Sequence, residues 1–367
     1  MQDNLYRRVP KYLEKYFTED SQFHYYYEME KNVKLYRDIE NKFICLKGFS
    51  SSTPIVNSIT FENECVGGGF YFRHNGVGIA VDPGIGFVSL MHKNNIFIDD
   101  IDVVIVTHNH IDHNCDVNCL SALLHDYNKN KKRELLFYEK FFECNEPEAH
   151  GIQWYMDDST KNNVSGIIDA GNIHSLSDIC DSKGQIELNK GIFLSAIRTE
   201  HIRNNRDTYC IKLKFYVDDV EYVWGYTSDT KYFSDLSQFM RDADIVLFNI
   251  SDVYEKDIIG TKGKSGHLGF DGSVRLLKKI NSKVAIATEF CCMNGDYRHE
   301  IVKGLTSEVK KGEMRIMPAH PGLTITIDGK HVVCSLCKQI KPIQHIKISK
   351  PEREFDNIRY VCEECLI

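Results

Sequence analysis

The sequence predicts an α/β sandwich of two sheets with outer helices, and three observations carry that expectation. From Phe43 the chain has strand-and-turn texture: FICLKGF, GGGFYFRHNG and VGIAVDPG are short apolar runs punctuated by glycine and proline. From Ile245 it alternates, with strand 245–250, a helix from Ser273, strand 284–288, a helix near 298–310 and strand 315–317. Hairpins first and strand–helix alternation later suit two sheets that share a core and carry helices outside. The length, 367 residues, allows one large domain plus something small.

Taken in order, residues 1–42 read as a charged, aromatic-rich helical extension, with Leu13, Tyr16 and Phe17 on one face. A docked cover for the core is its plain reading, and a partner-binding helix is the alternative. GGGF at 67–70 lacks the spacing of a dinucleotide loop and leads into a strand, so a tight turn accounts for it. A buried strand at 103–106 precedes a helix at 116–127. Residues 128–190 are less regular and read as a lid or insert, or as a solvated excursion. Strands resume at GIFLSAI, YCIKLKFYV and EYVWGYTS. A main domain over 43–330 is expected, followed by a separate small unit at 331–367.

Composition narrows the function classes. A net charge of −7 argues against a broadly basic surface for long nucleic acid, although bound metals can neutralise a short phosphate backbone. The opening MQDNLYRRVPKYLEKYF has no apolar core, and no run approaches the roughly 18 apolar residues of a membrane helix. A cytoplasmic protein with no membrane partner is the expectation. Most of the thirteen cysteines then read as reduced thiols.

The chemistry concentrates in VVIVTHNHIDHNCD. A buried strand delivers His108, His110, Asp112 and His113 within six residues. An extended backbone points His108 and His110 to the same side. Imidazole with carboxylate suits zinc, manganese or iron.

This THxHxDH string after a buried strand resembles the signature of the metallo-β-lactamase superfamily, and AVDPG upstream fits the same family. TEHIRNNRDTYCIKL, GYTSDT and SGHLG resemble its later segments, in order, over roughly residues 43–328. The resemblance implies a four-layer αββα metallo-β-lactamase sandwich holding two catalytic divalent metal ions, zinc first, manganese or iron otherwise. It implies that His108, His110 and His201 bind one ion and Asp112, His113 and His267 the other. Asp229 would bridge them, leaving room for a bridging water or hydroxide. Asp82, in the DPG turn, reads as a supporting residue rather than a ligand.

The full ligand set with aspartate at 229 resembles the branch containing tRNase Z, RNase J and cyclic-nucleotide phosphodiesterases. The sequence lacks a tRNase Z-type exosite arm and the inserted domain of RNase J. A phosphodiesterase or nuclease acting on a nucleic acid or nucleotide is the expected function. Hydrolysis of a lactone or thioester, or metal sensing without turnover, are the competing readings. Asp112 also counts among the candidate catalytic residues. His320 is the first candidate for the leaving-group acid and Glu289 the second. Arg298 and Lys264 could hold phosphate, with a surface charge the simpler reading.

Finally, Cys334/Cys337 and Cys362/Cys365 form two CxxC knuckles separated by 24 residues. They resemble a zinc ribbon, four thiolates closing one structural zinc that supplies folding energy to a unit too small for its own core. Nucleic acid, a homodimer mate or the main domain itself are the partners open to it.

Overall fold

The computed structural model describes residues 40–50, 67–108, 110–127, 134–137, 172–201, 208–251, 266–292, 295–309, 312, 314–350 and 358–366. Contacts group 41–367 as one compact unit. The expected N-terminal helical extension lies outside the described residues.

Strands β1 (Lys42–Lys47), β2 (Gly67–His74), β3 (Val77–Val81), β4 (Val103–Ile105), β5 (Glu134–Phe137) and β6 (Asn172–Ser175) lie side by side in one sheet. A second sheet holds β7 (Ile186–Asn189), β8 (Ile192–Arg198), β9 (Tyr209–Val217), β10 (Val220–Tyr226), β11 (Ile245–Ser251), β12 (Val284–Phe290) and β13 (Arg315–Pro318). The chain then returns to the first sheet, adding β14 (Thr324–Thr326), β15 (His331–Val333) and β16 (Ile340–Pro342) beside β1. A two-stranded ribbon, β17 (Ile346–Ser349) with β18 (Arg359–Cys362), is followed by a helical turn at Glu363–Cys365.

Each sheet begins antiparallel and turns parallel. In the first, β1–β2 and β2–β3 are antiparallel, and β3 through β6 are parallel. In the second, β7 through β10 are antiparallel, and β10 through β13 are parallel. Two reversals make β1 run the same way as β3, so the carboxyl ends of β1, β3 and β4 share one rim. The carboxyl ends of β10, β11, β12 and β13 share the corresponding rim of the second sheet.

Main-chain bonds stitch the rims together. Phe290 N–H donates to the Gly48 carbonyl at 3.1 Å, and Ser50 N–H to the Phe290 carbonyl at 3.2 Å. Tyr209 N–H donates to the Thr107 carbonyl at 3.2 Å.

Between the sheets the core is aromatic. Phe43 packs on Trp224 at 4.8 Å between ring centres, and Phe70 meets Tyr226 edge-on at 5.0 Å. Helices Phe87–Lys93 and Val117–Tyr127 contribute Phe87, Met91, Leu120 and Leu124 to that core. Outside the second sheet, Gly269–Lys279 and Arg298–Val309 bury Leu276, Leu277 and Leu305 in a second cluster. The protein is thus a four-layer α/β sandwich, as its patterning predicts.

Three elements differ from expectation. The helix expected from Ser273 begins at Gly269. Strand β12 runs two residues past Thr288, which places Glu289 inside the strand end. The glycines at 67–69 belong to β2 rather than to a tight turn. They allow close approach: a Cβ on Gly69 would fall 2.1 Å from the Asp82 carbonyl oxygen, and one on Gly68 2.2 Å from that of Leu46. Of the region 128–190, the described parts are β5, β6, helix Leu176–Ser182 and β7; the rest of the expected lid or insert lies outside the described residues.

Gly69→Ala should therefore lower stability by about 1–3 kcal/mol or more, the scale of overpacking a close contact. An unchanged urea midpoint for that variant would show that β2 and β3 can part without cost.

Candidate metal centre

Side chains from both rims meet where the sheets are stitched. Beyond β4 the chain passes Thr107 and His108 and enters a helical turn, Ile111–Asn114, that carries Asp112 and His113. Strand β10 ends at Tyr226, two residues before Ser228, and Glu289 is the last residue but one of β12. His201 follows β8, and His267 lies just before Leu268, the N-cap of the helix starting at Gly269. Four non-glycine residues here have left-handed backbones: Asp82, Ser228, Ser251 and Glu289, with φ of 49°, 48°, 50° and 56°. Each sits at the carboxyl end of β3, β10, β11 or β12. Such conformations cost on the order of 1–3 kcal/mol apiece and persist only where surrounding contacts over-determine them.

One donor group comprises His108, His110, His201 and Asp229. His110 Nδ1 lies 3.1 Å from His108 Nε2 and 3.0 Å from His201 Nε2. Asp229 Oδ2 is 3.5 Å from the first of those Nε2 atoms and 3.6 Å from the second. Ligands of a tetrahedral ion with bonds of ~2.0–2.1 Å stand about 3.3 Å apart, so the group fits one ion. Burial, foremost, lowers the pKa of all three imidazoles, that of His201 to about 3, which keeps their lone pairs open. His201 donates its Nδ1 hydrogen to the Gly266 carbonyl at 2.9 Å, turning Nε2 inward. Asn249 donates to Asp229 Oδ1 at 2.8 Å and fixes that carboxylate.

The other expected ligands fall into two groups that share Glu289: Asp112 with His113 and Glu289, and Asp229 with His267 and Glu289. Glu289 is fully buried. Its Oε1 is 2.8 Å from His113 Nε2 and in direct contact with Lys47 Nζ. That position makes Glu289 one of the donors of both groups. Burial, then the charge of Asp229, pushes its carboxyl upward against the pull of Lys47 and His113.

Lys47 is itself fully buried, at a register shift that ends β1. Burial opposes its charge, yet Glu289, Asp112, Asp229 and Asp82 together hold the ammonium above the usual lysine range. His113 contrasts with the other imidazoles. Burial and Lys47 lower its pKa, but Glu289, Asp82 and Asp112 raise it further.

Asp82 supports the whole cluster, as its turn position suggests. It accepts from Thr107 N–H, Thr107 Oγ1 and His113 Nδ1, each at 2.7 Å, and from the Tyr226 hydroxyl at 3.0 Å.

His320 follows β13 on the same rim, backbone against Gly48, and is nearly buried. Arg298 donates to its Nδ1 at 3.3 Å. The guanidinium is fully buried, paired with Asp296 at 2.6 Å and stacked 4.4 Å over the Phe49 ring. Arg298 is therefore neither a surface charge nor a solvent-facing phosphate grip. Lys264 lies outside the described residues.

Sequence reasoning missed Lys47, Tyr226 and Asn249. Asn249 had a readable signal, a polar residue within the apolar run of IVLFNIS, and Lys47 a weaker one, a charge closing the apolar run of KFICLK.

At the C-terminus, Cys334, Cys337, Cys362 and Cys365 form a compact sulfur cluster. Cys334–Cys365 and Cys337–Cys362 sulfurs are 4.0 and 3.9 Å apart, against about 3.8 Å for thiolates on a tetrahedral zinc with bonds of ~2.3 Å. The cluster fits a small zinc site.

The Beta-lactamase superfamily domain model matches residues 78–290. The chain belongs to that superfamily. Its structure resembles the metallo-β-lactamase fold protein YhfI from Bacillus subtilis, at 14% identity and TM-score 0.55, covering 77% of this chain and 98% of that one. A diphosphatase of the PhnP family is similar at 17% identity and TM-score 0.53, covering 77% and 96%. The short form of human tRNase Z is similar at 13% identity and TM-score 0.52, covering 78% and 99%. At such identities the likeness is one of fold. No curated protein matches the sequence. Metallo-β-lactamase membership and the donor groups imply divalent metal. Among the described residues no helix is long and apolar enough to cross a membrane.

Two outcomes follow. Cys362→Ser should lose about one zinc per chain by elemental analysis and expose the C-terminal ~35 residues to protease, since such units fold on their metal. Retained zinc with retained protection would refute the cluster's role. Asp82→Asn should weaken metal affinity roughly 10–100-fold, the usual effect of losing a partner that orients a ligand. Dialysis against a metal buffer measures it, and an unchanged affinity would leave Asp82 a turn residue only.

Proposed function

We propose that this metallo-β-lactamase-fold protein is a metal-dependent hydrolase of phosphodiesters, acting on a short nucleic acid or a nucleotide. The observation that carries the reading is Asp229, a carboxylate shared between the three-histidine group and the group containing His267 and Glu289. All its surroundings are oxygen and nitrogen donors, which suits hard cations and a substrate with charged non-bridging oxygens. The net charge of −7 favours a short substrate over long duplex. Likeness to a PhnP-family diphosphatase and to a tRNase Z supports the same substrate class.

A divalent ion held by His108, His110, His201 and Asp229 would polarise a phosphoryl oxygen and acidify a water. The protein's own part is orientation. Gly266 fixes His201, and Asn249 fixes Asp229, so neither must reorganise during reaction. His267 keeps about a fifth of its side chain exposed, unlike His201, and so faces incoming substrate. His320 remains the candidate leaving-group acid. Because Arg298 can only donate, Nδ1 accepts and the ring's proton sits on Nε2, ready to be given up. We assign Glu289 and Asp112 a holding role beside Lys47. We take 43–330 as the catalytic domain and 331–367 as the zinc ribbon, with β15 and β16 continuing the catalytic sheet.

The test is a panel of bis(p-nitrophenyl) phosphate, short RNA and DNA, cyclic nucleotides, lactones and thioesters, each with zinc, manganese or cobalt. Phosphodiesters should lead in kcat/KM, and His110→Ala or Asp229→Ala should lower it by ~10³-fold or more, the scale of losing a metal's charge stabilisation. The reading fails if lactone or thioester hydrolysis exceeds every phosphodiester activity by orders of magnitude.

A further inference from the structure

The second half of the centre holds a cation of its own. Lys47 Nζ contacts Glu289 Oε1, lies 3.3 Å from His113 Nε2 and 3.9 Å from Asp112 Oδ2. Those three side chains make up the donor group opposite the three-histidine cradle. The ammonium therefore already engages all three residues of that group, and it holds the Glu289 that the group of Asp229 and His267 also needs. It also donates to the Asp112 carbonyl oxygen at 3.0 Å, which anchors it to the helical turn as well as to the carboxylates.

This arrangement is built in rather than incidental. Lys47 ends β1 at a register shift, and Glu289, next to the end of β12, has a left-handed conformation. The residues directly following them, Gly48 and Phe290, are joined by a 3.1 Å main-chain hydrogen bond. Neither side chain has solvent to retreat into, since both are 0% exposed. A buried ammonium left unpaired is costly, so an ion entering here would have to displace Lys47 from its carboxylate or share it at close range.

We propose that Lys47 is the second cation of the centre: one divalent ion binds tightly in the His108, His110, His201 and Asp229 cradle, and the Lys47 ammonium occupies the place of the other. The proposal rests on the metal-dependent reading above but not on the bond cleaved. It revises the expectation of two tightly bound ions.

Manganese counts the centre selectively, because hard Mn(II) is disfavoured by the four-thiolate cluster. The full-length chain, freed of metal at the centre by mild chelation, is titrated with Mn(II) by equilibrium dialysis and electron paramagnetic resonance. Wild type should bind one Mn(II) tightly with an uncoupled spectrum, and a second at least ~100-fold more weakly, the scale of a like charge within ~4 Å. Lys47→Met should bind two with comparable Kd and show an exchange-coupled pair, while Lys47→Arg should keep the single tight ion. If Lys47→Met does not fold, as judged by circular dichroism, the wild-type and Lys47→Arg counts decide alone. Two equally tight, coupled ions in wild type overturn the proposal and leave the proposed function standing. No Mn(II) at the centre overturns both.

Discussion

A buried carboxylate with four hydrogen bonds holds this site in place. Asp82 is 0% exposed, and its two oxygens accept from the β4 extension, from His113 and from Tyr226 at the end of β10. A charge taken from water must recover its lost hydration through such bonds, so those donors have little freedom to move. One side chain thereby couples both sheets at the rim where chemistry is placed. His113 is aimed by it directly. His108 is held next door through Thr107, whose hydroxyl lies 2.7 Å from that of Ser228.

That coupling explains where the backbone is strained. Left-handed conformations at Asp82, Ser228, Ser251 and Glu289 turn four strand ends sharply, so that side chains project over the rim instead of into the sandwich. Straight strands would relieve the strain and scatter the groups. The aromatic core below, with Trp224 anchored by its Nε1–H to the Ile327 carbonyl at 2.7 Å, keeps both sheets fixed against that relief. Rigid packing and a strained rim are thus two sides of one design, with binding geometry set before any ligand arrives.

Much of this was legible in the sequence, for physical reasons. Strand periods and glycine–proline punctuation gave two sheets, and the dense HxHxDH spacing marked the centre, its residues dividing between two donor groups, His108 with His110 and Asp112 with His113. His201 and Asp229 joined the first of these as the resemblance implied. What escaped reading was long-range. Lys47 and Glu289 lie 242 positions apart, and local pattern cannot say that two strand ends from different sheets will meet. Glu289 read as a candidate acid because a carboxyl at a strand end is ambiguous until its neighbours are known. Arg298 read as a surface charge because arginine usually is one, and only its Asp296 and Phe49 partners show otherwise. The triple glycine read as a turn because close approach between strands leaves no local mark.

The charge balance of the centre gives the lysine a place in folding as well as in binding. Asp82, Asp112, Asp229 and Glu289 are all buried within one small volume. Four carboxylates so placed repel one another and resist burial, and a site dependent on added ions alone would oppose folding until those ions arrived. A covalently attached ammonium is present from the start and cannot dissociate. It offsets part of the repulsion while the sheets come together, and the Phe49–Phe290 bridge locks the strands on either side of it. The imidazoles of the other group need no such help, because burial keeps them neutral. The centre therefore divides into a cradle of three neutral imidazoles closed by the Asp229 carboxylate and an acidic half that already contains a cation.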